Sequence, residues 1–335
     1  MKAPAFWWDR TPGAIARLLL PFGALYGALT ARRMARDGAR ADVPVICIGN
    51  FTAGGAGKTP TAIALAKALE ARGERPVFLS RGYGGRVTQP TLVDRMTHSA
   101  AEVGDEPLLL AEAAPTIVAA DRVAGARLAA AEGSVILMDD GMQNPALAKD
   151  FTLAVIDGGA GFGNGLCLPA GPLRAPVAAQ MAHVDALIAI GLGSGITEAV
   201  ALGAEGQKPV FRSTLTTDPA VADWLAGRRV IAFAGIGRPQ KFFEMLLGYY
   251  AKLDGVHPFA DHHPYSEADA AMLRGLAAAR QVAIVTTEKD RVRLKGGPER
   301  EALAAMTTTI PAVLPLPEDL VDLAMGAIRR ARVRA

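Results

Sequence analysis

The stretch VICIGNFTAGGAGKTP, residues 45–60, decides the fold. Val45 to Ile48 have the make-up of a buried strand, Gly54, Gly55 and Gly57 free the backbone to curl, and Lys58-Thr59 open a helix that runs on through TAIALAKALEARG. Strand, glycine-rich curl, Lys-Thr and helix in that order set backbone N–H groups and a helix N-terminus around a phosphate. In such a loop Lys58 reaches the β- and γ-phosphates of ATP and the Thr59 hydroxyl ligates Mg2+. The expected nucleotide-binding set is Thr52, Gly54, Gly55, Ala56, Gly57, Lys58, Thr59 and Pro60. The pattern G-x-x-x-x-G-K-[ST] fails only at its first position, where Thr52 replaces glycine; the curl depends mainly on the later glycines. The bland alternative, a plain turn between strand and helix, does not require these four features in this order.

Outward from the loop, β-branched runs alternate with Ala/Leu/Arg-rich helical stretches: VPVICIG, RPVFLS, SVILMDD, FTLAVIDGG, VDALIAIG, KPVFRSTL, RRVIAFAG and QVAIVTTE. That rhythm predicts an α/β fold of the phosphate-loop NTPase type, a mostly parallel sheet covered by helices on both faces. The pattern is weakest over 213–229, after which VIAFAG starts a second α/β series. The expected division is 1–40, an N-terminal amphipathic helix; 41–215, the phosphate-loop kinase core; and 216–335, a smaller α/β domain closing over the active site. A chain of 335 residues, half of them hydrophobic, is long enough for two cores. The 36 Lys+Arg against 33 Asp+Glu leave a charge of +3, too small an excess to hold the chain on nucleic acid, and no helix-turn-helix or zinc-finger spacing is present. Cys47 and Cys167 alone give neither a disulfide framework nor a metal-ligand set.

VILMDDG, residues 135–141, is an apolar strand ending in Asp139 and Asp140, carboxylates placed to hold Mg2+ beside the phosphate loop; alone it would read equally as a strand end and turn. Regulatory ATPases with KGGxGKT carry a lysine where this chain has Ala53, which weakens an interaction-ATPase reading. A kinase needs instead a group to take the acceptor's proton. Two candidates exist. GDEP, residues 104–107, sets Asp105 and Glu106 ahead of a Leu-rich helix, where capping is an equal alternative. FADHHPY, residues 259–265, clusters Asp261, His262 and His263 in a turn, where a carboxylate could orient an imidazole.

Taken in order, VICIGNFTAGGAGKTP, LSRGYGGR, GDEP, MDDGMQN, LPAGPLR, FADHH and TTEKD resemble the tetraacyldisaccharide 4′-kinase family, over roughly residues 5–295. The resemblance implies an enzyme on the cytoplasmic face of the bacterial inner membrane, peripheral (monotopic), that moves the ATP γ-phosphate to the 4′-hydroxyl of an acylated glucosamine disaccharide 1-phosphate and yields lipid IVA. By position it assigns Lys58 and Thr59 to nucleotide and Mg2+, Asp139 and Asp140 to the metal side, and Asp105 with His262 to proton transfer. Arg81, Tyr83, Gln143 and Arg174 become substrate contacts. Two positions depart from the family's DDGxQH and GPLRE: Asn144 stands for histidine and Ala175 for glutamate. The competing reading is a soluble phosphate-loop ATPase or kinase acting on a small metabolite or a regulatory partner.

SRGYGGR, residues 80–86, could cradle a phosphate or sugar at a strand end, or be an ordinary turn. TTEKD, residues 286–290, divides evenly between ligand contact and turn. AGIGRPQ, residues 234–240, lacks the third glycine of a dinucleotide fingerprint and reads as a strand-loop-helix corner. At the amino terminus Ile15, Leu18, Leu19, Phe22, Leu25, Tyr26 and Leu29 recur at helical spacing, followed by Arg32, Arg33 and Arg36. The run LLLPFGALYGAL is broken by Pro21 and is far short of the ~20 residues a membrane span needs. A helix lying on the membrane surface fits best, with Trp7 and Trp8 at the interface. Packing on the protein and a cleaved signal peptide are the alternatives.

Overall fold

The computed structural model describes residues 3–334. Eight strands form the first sheet: β1 (Val45–Asn50), β2 (Pro76–Ser80), β3 (Thr91–Leu92), β4 (Thr116–Val118), β5 (Val135–Asp139), β6 (Phe151–Asp157), β7 (Ala186–Ile190) and β8 (Val210–Ser213). Their order is β3-β4-β2-β5-β1-β6-β7-β8, and only the short edge pair β3–β4 is antiparallel. Every residue of β1, β2, β5, β6 and β7 is buried, as expected where helices cover both faces of a parallel sheet. On one face Ile46, Ile48, Leu137 and Leu153 share a core with Leu65 and Leu69 of the helix Lys58–Ala71. On the other, Cys47, Leu79, Ile136 and Met138 meet Ala126 and Ala129 of the helix Arg122–Glu132.

The second sheet holds β9 (Arg229–Ala234), β10 (Lys252–Pro258), β11 (Ala283–Thr287) and β12 (Thr307–Ile310), all parallel in the order β10-β9-β11-β12. Val230, Ala232 and Val285 pack on Phe242, Phe243 and Leu246, while Ile231, Phe233 and Ile284 pack on Leu273, Ala277 and Leu303. The two segments joining the sheets touch: Thr216 N donates to Val313 O at 2.8 Å and Val313 N to Thr216 O at 2.9 Å. Beyond them the helix Glu318–Arg334 returns to the first sheet, burying Leu320, Ala324, Ala327 and Ile328 among Ile46, Leu65 and Leu153. A division at 216–335 thus counts with the second lobe a helix whose apolar face lies in the core of the first.

At the amino terminus the helices Ala14–Leu18 and Leu20–Met34 have two faces. Ala16, Gly23, Gly27, Thr30 and Met34 face the protein. A Cβ on Gly27 would come within 2.9 Å of Cys167 Sγ, so small residues permit this close approach. Ile15, Leu18, Phe22, Leu25 and Leu29 point outward, 59–76% exposed. The apolar stripe is therefore not a core face. Leu19 and Tyr26 flank it, partly covered. Trp7, expected beside Trp8 at an interface, instead donates its indole N–H to Pro169 O at 3.0 Å and ties the terminus to the loop before Leu173. Among the described residues no helix is long and apolar enough to cross a membrane.

Candidate active site

The carboxyl ends of β1 and β5 open where the lobes meet. After β1 the loop turns into its helix at Gly57, whose φ of 95° lies in the left-handed region; a Cβ there would also meet Ile190 Cδ1 at 2.8 Å. Thr52 needs no such freedom. It bridges to Leu173 as an antiparallel pair, and its carbonyl accepts from Asn50 Nδ2 at 2.8 Å and Arg174 Nε at 3.1 Å. The first position of the loop is thus held as extended chain, for which threonine is well suited. Gly54 and Gly55 are exposed, and Ala56 is buried beneath them. Pro60 occupies the helix's first turn, where its missing N–H is not needed.

Lys58 Nζ lies 3.2 Å from Asn50 Oδ1 and 3.7 Å from Asp140 Oδ2. The Thr59 hydroxyl sits 3.4 Å from Asp139 Oδ2, while Asp139 Oδ1 is buried without a partner. Burial chiefly, then Glu106, push the Asp139 carboxyl up to about 7, against the pull of Lys58. An orphaned carboxylate oxygen beside a threonine hydroxyl fits a hard divalent cation that would complete its shell with phosphate oxygens and water. Asp140, paired with Asp139 on the metal side from sequence, is engaged differently. Arg174 grips both its oxygens, Nη1 to Oδ1 at 2.6 Å and Nη2 to Oδ2 at 2.9 Å. Burial would raise its carboxyl, but Lys58 and Arg174 hold it below the usual range.

Arg174 and Gln143, expected against substrate, are built into this frame. Gln143 is 7% exposed; its Nε2 donates to Asn50 O and to Gln180 Oε1, both at 2.8 Å, and its Oε1 lies 3.3 Å from Arg174 Nη1. They brace the phosphate loop from behind. Asn144 caps a turn by accepting from Ala146 N at 2.9 Å, and Ala175 is fully buried, its carbonyl accepting from Gln180 Nε2 at 2.6 Å. Arg81 and Tyr83 are exposed on the SRGYGGR loop, the Tyr83 ring 6.0 Å from that of His262.

The two candidates for proton transfer meet across the cleft. His262 Nδ1 is 2.9 Å from Asp105 Oδ2 and 3.2 Å from Oδ1. Gly104 sets the approach: a Cβ there would strike Tyr83 O at 2.7 Å, and its φ is 90°. His262 itself has φ 55°, in the left-handed region that non-glycine residues adopt uncommonly. Asp261, expected to orient the imidazole, lies 3.8 Å from Nε2 and is not the Nδ1 partner. His263 points away and binds Asp269 Oδ2 at 3.0 Å.

Sequence reasoning singled out none of five further cations around the site. Arg293, 8% exposed, reaches Asp105 Oδ2 with Nε at 2.8 Å and with Nη2. Lys289, inside TTEKD, binds Glu106 Oε1 at 3.0 Å. In the same motif Thr287 caps the next helix and Asp290, fully buried, accepts from Tyr265, Gly235 and Arg293. Arg122, 3% exposed, leaves its Nε unpartnered within reach of the charges of Arg81, Asp139 and Asp140. An arginine opening a helix, where the macrodipole disfavours a cation, was the available signal for it. On the far side of the loop Arg238 and Lys241 both bind Asp157 at the end of β6, Lys241 Nζ at 2.8 Å, and Arg238 Nη2 lies 3.5 Å from Gly55 O.

Burial would raise the Asp105 carboxyl, but the His262 hydrogen bond and the charges of Lys289 and Arg293 overcome it and hold the group far below the usual carboxylate range. A phosphate loop answered across a cleft by a charged carboxylate–imidazole pair is the arrangement of a phosphate-loop kinase on a parallel α/β scaffold. The chain belongs to one particular kinase family: the model of the tetraacyldisaccharide-1-P 4′-kinases matches residues 15–325. It is 54% identical to the tetraacyldisaccharide 4′-kinase of Methylobacterium nodulans over 336 residues, covering 100% of this chain and 96% of that one. With the enzyme of the same name from Methylorubrum extorquens the identity is 58% over 296 residues, 88% of this chain and 90% of the relative. Among solved structures, the crystal structure of the "apo" form of LpxK from Aquifex aeolicus in complex with ATP superposes with a TM-score of 0.72 at 26% identity, covering 94% of this chain and 99% of that chain.

Proposed function

We propose that this protein is the tetraacyldisaccharide 4′-kinase of lipid A biosynthesis, working as a peripheral enzyme on the cytoplasmic face of the inner membrane. It uses ATP and phosphorylates the 4′-hydroxyl of a tetraacyldisaccharide 1-phosphate, giving lipid IVA. The observation that carries the reading is the Asp105–His262 contact, which joins the phosphate-loop lobe to the second lobe where an acceptor hydroxyl must meet the γ-phosphate. The soluble kinase of a small metabolite offers no use for five large apolar side chains turned to solvent along the two N-terminal helices.

In this reading Lys58 binds the β- and γ-phosphates, and the loop's backbone N–H groups surround them. Thr59 and Asp139 would hold Mg2+, which when bound neutralises phosphate charge. Arg174 keeps Asp140 and the loop in register, and Asp140 with Lys58 forms the loop's charged wall. Arg81, Tyr83 and Arg122 line the acceptor's side. The second lobe, carrying His262, closes on the first and keeps water from competing with the acceptor. The outward stripe of the N-terminal helices sinks into the lipid interface, and Arg32, Arg33 and Arg36 lie near anionic headgroups.

The test is direct. Purified full-length protein in detergent, given ATP labelled on the γ-phosphate and the disaccharide 1-phosphate, should yield a bisphosphorylated lipid labelled at the 4′-position. Absence of that product, with ATP bound and the protein folded, would overturn the reading.

A further inference from the structure

We propose that Gln180 is a positioning residue for the phosphate loop: its amide, working through Gln143, sets the start of the loop on the Arg174–Asp140 ion pair and so sets how tightly the triphosphate of ATP is held. The inference rests on the phosphate-loop reading above and adds to it a residue that lies fully buried behind the loop. Where the chain leaves β1, three successive carbonyls are each taken by a different side chain. Asn50 O accepts from Gln143 Nε2 at 2.8 Å, Phe51 O from Gln180 Nε2 at 3.3 Å, and Thr52 O from Arg174 Nε at 3.1 Å. The facing backbone adds two bonds, Arg174 N to Phe51 O at 2.9 Å and Ala53 N to Pro172 O at 2.7 Å. A trans peptide carries its C=O and N–H on opposite edges of one plane. Pinning these carbonyls therefore fixes the plane from which the Gly54–Gly57 curl departs, and with it the aim of the N–H groups that meet phosphate.

The three side chains form one unit. Gln180 Oε1 accepts from Gln143 Nε2 at 2.8 Å, Gln143 Oε1 lies 3.3 Å from Arg174 Nη1, and the same Nη1 donates to Asp140 Oδ1 at 2.6 Å. Asp140 Oδ2 in turn stands 3.7 Å from Lys58 Nζ. A single line of polar contacts thus runs from Gln180 to the lysine of the loop. Its far end is anchored, because Gln180 Nε2 also donates to Ala175 O at 2.6 Å. The short helix that carries Gln180, Val177–Met181, rests against the helix Leu20–Met34, and a Cβ on Gly27 there would come within 3.2 Å of Pro176 Cδ.

The place calls for an amide. Only asparagine and glutamine put two donors and an acceptor on one neutral planar group. A carboxylate would keep the acceptor for Gln143 but turn negative oxygen on two carbonyls, and an apolar side chain would strip partners from buried polar groups. Ala175, standing where the family pattern GPLRE has glutamate, cannot supply such a group, so the polar tie comes from Gln180, five positions on.

The experiment measures ATP binding to the full-length protein by calorimetry with Mg2+, alongside steady-state turnover with the lipid acceptor. Gln180→Met, close in volume, should weaken ATP binding about tenfold and raise the KM for ATP in step. The KM for the acceptor should stay within about twofold of wild type and kcat should fall no more than about threefold, because what is lost is binding common to ground and transition states. Gln180→Glu, the same shape without the donors, should bind ATP no better than the methionine variant. Gln143→Met reads the same line from its middle; it should match Gln180→Met, and the double variant should lose less than about threefold beyond either one. Thermal midpoints without nucleotide check folding. ATP affinity within about twofold of wild type in folded Gln180→Met or Gln180→Glu protein would overturn the proposal, as would losses that multiply in the double variant. If neither Gln180 variant folds, Gln143→Met decides alone, and unchanged ATP affinity there overturns the assignment. Wild-type protein that binds ATP yet makes no 4′-phosphate would overturn the kinase reading and leave this assignment standing, so the two failures are distinguishable.

Discussion

Changing Leu18, Phe22 and Leu25 to serine separates membrane binding from the fold and the chemistry. These side chains are 76%, 62% and 61% exposed, while the helix holds the protein through Gly23, Gly27, Thr30 and Met34 on its other side. Full burial of such a side chain contributes about 1.5–3 kcal/mol. If about half of the exposed part of each reaches the acyl layer, the three together contribute about 2 kcal/mol, roughly 30-fold in partitioning. The serines should cost the helix only about 1 kcal/mol through propensity. Flotation with anionic phospholipid vesicles should therefore show a roughly 30-fold weaker partition, with circular dichroism and ATP binding preserved. The apparent KM for vesicle-borne acceptor should rise in step, whereas a short-chain, water-dispersible acceptor should be turned over almost normally. Unchanged vesicle partitioning would refute the argument. Loss of folding would refute it too, since it would mean the outward face carries a structural load that its exposure denies.

Lys58→Ala should lower kcat/KM at least 100-fold, about 2.7 kcal/mol, in a steady-state assay, because no other cation of the loop reaches the phosphates from the helix side. Asp105 has its carboxyl lowered on folding, so it stabilises the protein above its unfolded value of about 3.9, and that contribution is lost as pH falls through the folded value. Denaturant midpoints should then show wild type ahead of Asp105→Asn at pH 7, with the gap narrowing steadily on acidification below about pH 4. Ile328→Ala, in the helix that returns to the first sheet, should destabilise the protein by about 2–4 kcal/mol in chemical unfolding although it lies remote from the second sheet.

Eight strands could be read from the sequence because each is an apolar, β-branched run, and in the first sheet the central ones are buried on both faces. The strands that escaped had weaker signals for physical reasons. β4 is three residues long, β10 (KLDGVHP) is half exposed with a glycine and a proline inside it, and β12 is the polar edge TTTI. The phosphate loop was legible because its chemistry is local. From the residue pattern alone Asp105 and His262 were legible only as separate candidates, since they lie 157 positions apart; it was the family resemblance that set them to work together. Arg293 carried no sequence signal at all: it follows TTEKD in an ordinary charged stretch, and its burial between Asp290 and Gly235 of its own lobe and Asp105 of the other is set by tertiary contacts. Arg174 and Gln143 showed the converse, polar residues whose expected outward role gives way to supporting the loop.

The mutual hydrogen bonds of Thr216 and Val313 bear on how the chain is put together. Backbones paired this way lie about 5 Å apart, so from the first lobe's viewpoint everything between them is a single long loop with its ends already pinned. Closure entropy grows only with the logarithm of loop length, which lets a folded unit sit in that place at little more than the cost of a turn. The nucleotide-binding half is therefore a natural candidate for separate expression, with a short turn joining the two pinned points. The same pairing shapes the mechanics. Both crossings of the chain between the lobes therefore fall at one place, side by side, instead of at two separate points on the surface.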